Sequence, residues 1–185
     1  MRIRRILALC SLLVAGLPTL AAAQEQHKIG ITMGYPAAAG VLWHVSPKVA
    51  IRPELTFAGS STETTSSSLA IEGSGWNLGT GVSALFYLRT EERLRTYFSP
   101  RFTYSHSSSS SSSSGVTTSE LEQTTNVVGV SGSFGAQYAV GDRFTVFGEL
   151  GFSFSHSHSK ASQLPTSGSG NGWGLRSGVG IVYYP

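Results

Sequence analysis

The sequence predicts an all-β fold, and three observations support this prediction. Charged residues make up only 12% of the 185 residues, against roughly a quarter in ordinary soluble domains. Glycine occurs 22 times and serine is abundant in runs, whereas a helical bundle needs far more Ala, Glu, Lys and Leu. Apolar residues alternate with small or polar residues over long segments, which is the period of a strand with one apolar face.

The first 23 residues are typical of a cleaved signal peptide. Three arginines in the first five residues precede an apolar run over residues 6–15, which Pro18 ends. This run is too short to span a bilayer, and Ala21-Ala22-Ala23 offers a small-residue cleavage site. A retained buried helix is the alternative. Cleavage would remove Cys10, the single cysteine, so we expect residues 24–185 to form one domain without disulfides or thiolate chemistry.

The net charge of +3 comes from the predicted signal peptide. Without its three arginines, the 13 Lys and Arg become ten, which balance ten Asp and Glu. A nucleic-acid-binding surface needs a surplus of basic residues. We therefore expect no nucleic-acid partner.

The strands are predicted in chain order from their alternation. Residues 28–46 contain two short strands if the segment from Tyr35 to Gly40 forms a turn, which places Ile29, Ile31 and Met33 on one face of the first. In the second strand, His44 opposes Val41, Trp43 and Val45. Six longer segments follow, with apolar faces centred on Ile51–Phe57, Trp76–Leu88, Thr96–Tyr104, Val128–Val140, Phe144–Phe154 and Trp173–Tyr183.

The connections fall into two classes. Short turns are predicted around residues 46–48, 90–92 and 141–143, and longer polar loops around residues 61–71, 107–123 and 160–171. The serine run from Ser107 to Ser114 cannot bury apolar area, and we expect it to form a mobile external loop. Short turns at one end and long loops at the other, with an even strand count, are typical of an outer-membrane barrel.

The composition of the polar faces decides which face points inward. These faces carry Gly and Ser and almost no Lys, whereas a soluble surface is usually rich in Lys and Glu. Small residues suit the crowded lumen of an eight-stranded barrel. The prediction is an eight-stranded antiparallel up-and-down transmembrane β-barrel with its apolar faces against lipid. The alternative is a soluble exported β-barrel that binds a small apolar ligand inside.

This orientation predicts two groups of residues. A luminal charge network is expected from Arg52, Glu54, Arg101, Glu149 and Arg176, with His44, Tyr97 and Gln137 nearby, because a buried charge must be paired. We expect the network to plug the barrel. The alternative is that it forms a path for protons or ions. An aromatic girdle at the two membrane interfaces is expected from Trp43, Trp76, Trp173, Tyr35, Tyr104 and Tyr183.

The signal peptide, the alternating strands and the closing segment from Trp173 to Pro185 resemble those of the small outer-membrane β-barrel domains of the OmpA/OmpX kind. That resemblance implies a bacterial outer-membrane location, with the lipid bilayer and the barrel assembly machinery as partners. The machinery reads an alternating C-terminal signal, which Val179, Ile181 and Tyr183 fit, although Pro185 stands where the family usually has Phe. No external ligand is implied, and the role expected is structural or one of surface interaction.

Two chemical sites are alternatives to a non-enzymatic protein without cofactor or metal. His156 and His158 share a strand face and could, with His106, hold a metal, but no carboxylate or thiolate joins them. Some eight-stranded outer-membrane proteins are lipid A deacylases. By that resemblance, His106, Ser108 and Glu120 could act as base, nucleophile and orienting acid.

Overall fold

The computed structural model of the chain describes residues 29–35, 38–66, 69–114, 119–162 and 167–185. The predicted signal peptide lies outside the described residues. The described part forms strands β1 (Ile29–Tyr35), β2 (Ala38–Ser46), β3 (Val49–Ser66), β4 (Leu69–Thr90), β5 (Leu94–Ser114), β6 (Ser119–Ala139), β7 (Phe144–Ala161) and β8 (Ser167–Tyr183).

Every strand pairs antiparallel with the next, and β1 pairs with β8, so the sheet closes into a barrel. This confirms the predicted fold class, including the division of the N-terminal segment into β1 and β2. No helix within the described residues is long and apolar enough to cross a bilayer.

The three predicted short turns lie at one end of the barrel, which we call the turn end. Ser46 pairs with Val49 across the first turn, and the backbone N–H of Glu91 donates to the carbonyl of Leu94 at 2.8 Å in the second. The third joins β6 to β7 between residues 139 and 144. Ile29 at the start of β1 and Tyr183 at the end of β8 also lie at this end. The longer strands extend from it toward the other, outer end.

The predicted long polar loops are wrong, because most of their residues lie in strands. Ser107 pairs with both Asn77 of β4 and Thr125 of β6, and this pairing continues to Ser113. In the other two segments, residues 61–66 and 69–71 belong to β3 and β4, and residues 160–161 and 167–171 belong to β7 and β8. Residues 67–68, 115–118 and 163–166 of the predicted loops lie outside the described residues. A serine strand needs no apolar contact when its backbone groups bond to neighbours on both sides, which is why the absence of an apolar period was misleading.

The barrel wall is uneven, because β1 and β2 are much shorter than the other strands. The outermost pair between β2 and β3 is Ala38 with Thr56, and the outermost pair between β1 and β8 is Tyr35 with Val179. Beyond these pairs, residues 57–66 of β3 bond only to β4, and residues 167–178 of β8 bond only to β7, within the described chain. We call this gap above β1 and β2 the notch. The outer sheet is the part of the other six strands, β3 to β8, that extends beyond the notch toward the outer end.

The two faces of the wall have the predicted orientation. Phe152 is 69% exposed on the outside, and Leu150 is 61% exposed beside it. Arg52 is buried inside with 1% exposure, and the side chain of Arg101 is also buried. The alternative of a soluble barrel with an apolar interior is therefore wrong. The outer wall also exposes Met33, Leu55, Phe57, Leu78, Val82, Leu88, Phe102, Val130, Phe134, Leu175 and Val179.

Candidate functional site in the barrel lumen

Five charged side chains from four strands meet inside the barrel. Arg52 joins both carboxylates: its Nε lies 3.0 Å from Oε1 of Glu54, and its Nη2 lies 2.5 Å from Oε1 of Glu149. Arg101 pairs with Glu54, and Nη1 of Arg176 lies 3.0 Å from Oε2 of Glu149. The network therefore contains all five residues that the alternation placed in the lumen.

Neutral side chains surround the network. The hydroxyl of Tyr97 donates to Oε1 of Glu149 at 2.9 Å. Ser83 accepts a bond of 3.4 Å from Nε of Arg52, and Ser133 accepts one of 3.4 Å from Nη1 of Arg176. The network is thus held at several points of the wall, as a buried charge cluster requires.

Phe147 is the one large apolar residue on the inner face of its strand. Its ring lies under the guanidinium of Arg52, 5.0 Å from ring centroid to Cζ, in a cation–π contact. It also fills the space left by Gly180, where an added Cβ would lie 2.6 Å from its Cζ. The glycine therefore allows the aromatic ring to sit inside the narrow barrel.

A second layer of side chains lies toward the turn end. The hydroxyl of Tyr87 donates to Oε1 of Gln137 at 3.0 Å. Nε2 of His44 and the hydroxyl of Tyr184 share a hydrogen bond of 3.2 Å, and the His44 ring stacks on Tyr87 with centroids 5.7 Å apart. Burial raises the pKa of Tyr184, which lies just beyond β8, so its hydroxyl remains protonated at neutral pH.

Of the three residues predicted near the network, Tyr97 contacts it directly. Gln137 and His44 belong instead to the layer with Tyr87 and Tyr184. Sequence reasoning missed Tyr87 and Tyr184 as luminal residues. The available signal was position: Tyr87 lies between outward Phe86 and Leu88, and Tyr184 follows outward Tyr183, so strict alternation turns both inward.

The aromatic residues chosen for the girdle lie on the outer wall in two groups. Trp43 pairs with Ile29 and Ile51 near the turn end, where the rings of Tyr183 and Phe144 lie 5.0 Å apart. The other group lies farther from the turn end: Tyr35, Trp76 and Trp173 are in the outer half of their strands, and Tyr104 is at the middle of β5. Trp173 is 86% exposed.

The structure does not bring the proposed deacylase residues together. Nδ1 of His106 lies 2.8 Å from Oδ1 of Asn126, its direct neighbour on β6. Glu120 pairs with Ser112, six residues farther along the strand than His106, which is about 20 Å at the strand rise. This backbone register does not bring Glu120 and His106 together, so the arrangement that the catalytic assignment requires is not formed.

Two of the three histidines considered as metal ligands, His106 and His156, have an amide oxygen as hydrogen-bond partner. Nδ1 of His156 lies 2.7 Å from Oδ1 of Asn171, and His158 lies opposite Asn126 in the sheet. The described residues contain no group of three or more His, Cys, Asp or Glu side chains able to hold a metal.

Comparisons with known proteins bear on the fold. No protein-family model matches the chain, and no curated protein has a similar sequence. The solved structure of a major outer membrane protein from Thermus thermophilus superimposes with a TM-score of 0.61 at 12% identity, covering 86% of this chain and 99% of that chain. CarO of Acinetobacter baumannii gives a TM-score of 0.48 at 10% identity, covering 89% of this chain and 100% of that chain. The first of these likenesses, together with the closed barrel and its apolar exterior, establishes that this chain has the fold of bacterial outer-membrane β-barrels, as the resemblance implied.

Proposed function

We propose that this chain is a non-enzymatic integral protein of the bacterial outer membrane, with a plugged lumen and an outer sheet that acts as an interaction surface. The single observation that carries the proposal is the orientation of the wall: large apolar side chains cover its outside, and the five charges lie inside. A soluble protein rarely exposes so continuous an apolar surface, whereas a bilayer requires one.

Two steps of biogenesis follow from this placement. Residues 1–23 act as the export signal and are removed, and the barrel assembly machinery inserts the remaining chain. The aromatic residues near the turn end and in the outer half form the two girdles at the lipid headgroups. Urea extraction of isolated membranes tests the placement, because a peripheral protein is released into the soluble fraction and an integral barrel stays with the lipid.

The plug is supported by the ion pairs that cross the lumen. Arg52 reaches from β3 to Glu149 on β7, and Arg176 reaches the same carboxylate from β8. An eight-stranded barrel leaves an interior that side chains can fill, so we expect no open channel. Planar-bilayer recordings of the purified protein test this, and steady single-channel conductance at neutral pH would contradict the plug.

The outer sheet is the surface that we propose faces the exterior. Its strands carry many hydroxyl groups, and Oγ of Ser74 lies 2.9 Å from Oγ of Ser110. A Ser110→Cys variant in the otherwise cysteine-free mature chain should react with a membrane-impermeant maleimide on intact cells. Ser83→Cys, whose side chain is buried in the lumen, is the matched control and should not react.

The two edges of the outer sheet favour a particular kind of partner. Residues 57–66 and 167–178 each bond to a neighbouring strand on one side only within the described chain. Such edges add an extended segment of another polypeptide through main-chain hydrogen bonds. Peptides selected on the barrel in nanodiscs should protect the amides of these edge residues from hydrogen exchange. Protection confined to β5 and β6 would contradict an edge site.

A further inference from the structure

We propose that the notch is a binding site for a single-chain carboxylate amphiphile such as a fatty acid, with its carboxylate in the lumen and its alkyl chain on the outer wall. This goes beyond the plug and the outer sheet, because it assigns a ligand to a place that neither uses. The argument rests on a polar cavity, an apolar groove and the residues that the two have in common.

The polar cavity lies against the ion-pair network and has a volume of about 180 Å³. Its lining includes all five network residues, so three guanidinium groups face two carboxylates, an excess of one positive charge. Thr32, Thr56 and Thr103 add hydroxyl groups to the lining. The cavity therefore offers a monoanion the charge that the network itself leaves uncompensated.

Hydrogen-bond donors are also available there. Nη1 of Arg52 and Nε of Arg101 are buried and have no hydrogen-bond partner among the described residues. Buried donors of this kind are normally satisfied, and one charged N–H donor from each of two arginines suits the two oxygens of a carboxylate. A dianion such as phosphate would exceed the excess charge, so the site favours a carboxylate.

The apolar groove, of about 590 Å³, lies on the outer wall beside the cavity. Its apolar lining comprises Met33, Ala39, Leu55, Phe57 and Leu78. Gly34, Ala38 and Thr56 line the groove and the polar cavity alike. These three residues lie where β1, β2 and β3 end their mutual pairing, so the two spaces meet over the low rim of the wall.

The notch opens at a level where the wall is still apolar. Leu175 lies four residues beyond Val179, the outermost partner of β1, and is 72% exposed on the outside. Phe57 lies just beyond the last pair of β2 with β3 and is also exposed. A ligand could therefore enter from the hydrocarbon side, which suits an amphiphile whose chain already lies in the membrane.

A substitution at Gly178 can block the polar cavity, the proposed site of the carboxylate, without removing a charge. An added Cβ there would lie 3.9 Å from Nη2 of Arg176 and 4.0 Å from Oε2 of Glu149, which are ordinary contact distances. The backbone at Gly178 therefore accepts a Cβ without a clash, and the larger side chain of Gly178→Leu should project into the cavity; heat-modifiable migration on electrophoresis checks that the variant is folded before binding is measured. Gly174→Leu is the matched control, because Gly174 has the same strand face, open space around its Cβ, and no part in either lining.

The experiment uses dodecanoate labelled with ¹³C at the carboxyl group and the full-length mature barrel in nanodiscs. We expect a saturable carboxyl resonance at one ligand per barrel, distinct from that of lipid-dissolved dodecanoate. Gly178→Leu should weaken binding by about tenfold or more, and Gly174→Leu should bind as the wild type does. Acetate and dodecanol should each compete poorly, because one lacks the chain and the other lacks the charge.

Three results would overturn the assignment. The first is no saturable resonance in the wild-type barrel, and the second is equal binding by the two glycine variants. The third is displacement of dodecanoate by acetate or dodecanol at the concentration at which unlabelled dodecanoate displaces it. Urea extraction and bilayer recordings report on the proposed placement and plug separately, so these failures can be distinguished.

Discussion

The hydroxyl of Tyr97 donates a hydrogen bond to Oε1 of Glu149, the same oxygen that accepts Nη2 of Arg52. Tyr97→Phe removes this donor from a buried carboxylate and should lower the free energy of unfolding by about 1.5–3 kcal/mol. Urea unfolding in lipid vesicles, followed by tryptophan fluorescence, measures the loss. Tyr138→Phe is the control, because Tyr138 is exposed on the outer wall. Equal losses in the two variants would show that the Tyr97 hydroxyl contributes nothing specific.

Glu149 holds two arginines, and its neutralisation should be far more costly than that of a surface glutamate. Glu149→Gln leaves Arg52 and Arg176 buried without their shared carboxylate, a loss of about 3–5 kcal/mol. Glu91→Gln breaks an exposed pair with Arg89, 2.7 Å long, and should cost at most about 1 kcal/mol. The variants are compared by the temperature at which each barrel unfolds, read from its shift in mobility on electrophoresis. The prediction fails if both melt at the same temperature.

The cost of an arginine on the outer wall should depend on how far it lies from the middle of the apolar exterior. Leu150→Arg places a charge in the middle of the apolar exterior and should cost about 2–4 kcal/mol. Leu121→Arg, near the serine-flanked outer end of β6, should cost less than about 1 kcal/mol. Equilibrium unfolding from lipid vesicles gives both values. A similar small loss for both variants would contradict the membrane orientation.

Two glycines on β7 should differ sharply in their tolerance of a methyl group. An added Cβ at Gly151 would collide with the carbonyl oxygen of Gly132 and lie 2.6 Å from Oγ of Ser133, whereas nothing lies within 4 Å of one at Gly148. Gly151→Ala should therefore lose about 1–3 kcal/mol or more through overpacking, and Gly148→Ala should fold normally. The yield of heat-modifiable folded barrel is the measurement. Equal yields would mean that the wall moves apart to accept the methyl group.

The sequence was sufficient to predict the eight strands over their apolar parts, and the faces of those parts. Arg52 and Glu54 alternate with Pro53, Leu55 and Phe57, and this alternation defined both the inside and the outside of β3. The prediction succeeded because successive side chains of a strand in a barrel wall must alternate between the lipid and the polar lumen.

The outer sheet could not be predicted in this way. The segment from Ser107 to Ser114 has the same residue on both faces, so it carries no information about which face points where. Its strand structure comes from pairing with β4 and β6, residues distant in the sequence. The particular ion pairs could not be predicted either. Alternation gives the face on which a side chain lies but not its position along the barrel axis, because the strands are tilted.

Arg52 and Glu149 are 97 positions apart, and His44 and Tyr184 are 140 apart. These contacts join parts of the wall that are distant in sequence, so they form only when the sheet has curved to bring β3 opposite β7 and β2 near the end of β8. A partial wall that lacks β7 would leave Arg52 with Glu54 but without Glu149, at a cost in hydrocarbon. Closure of the sheet and entry into the membrane are therefore coupled, because the charge cluster is fully paired only in the closed barrel.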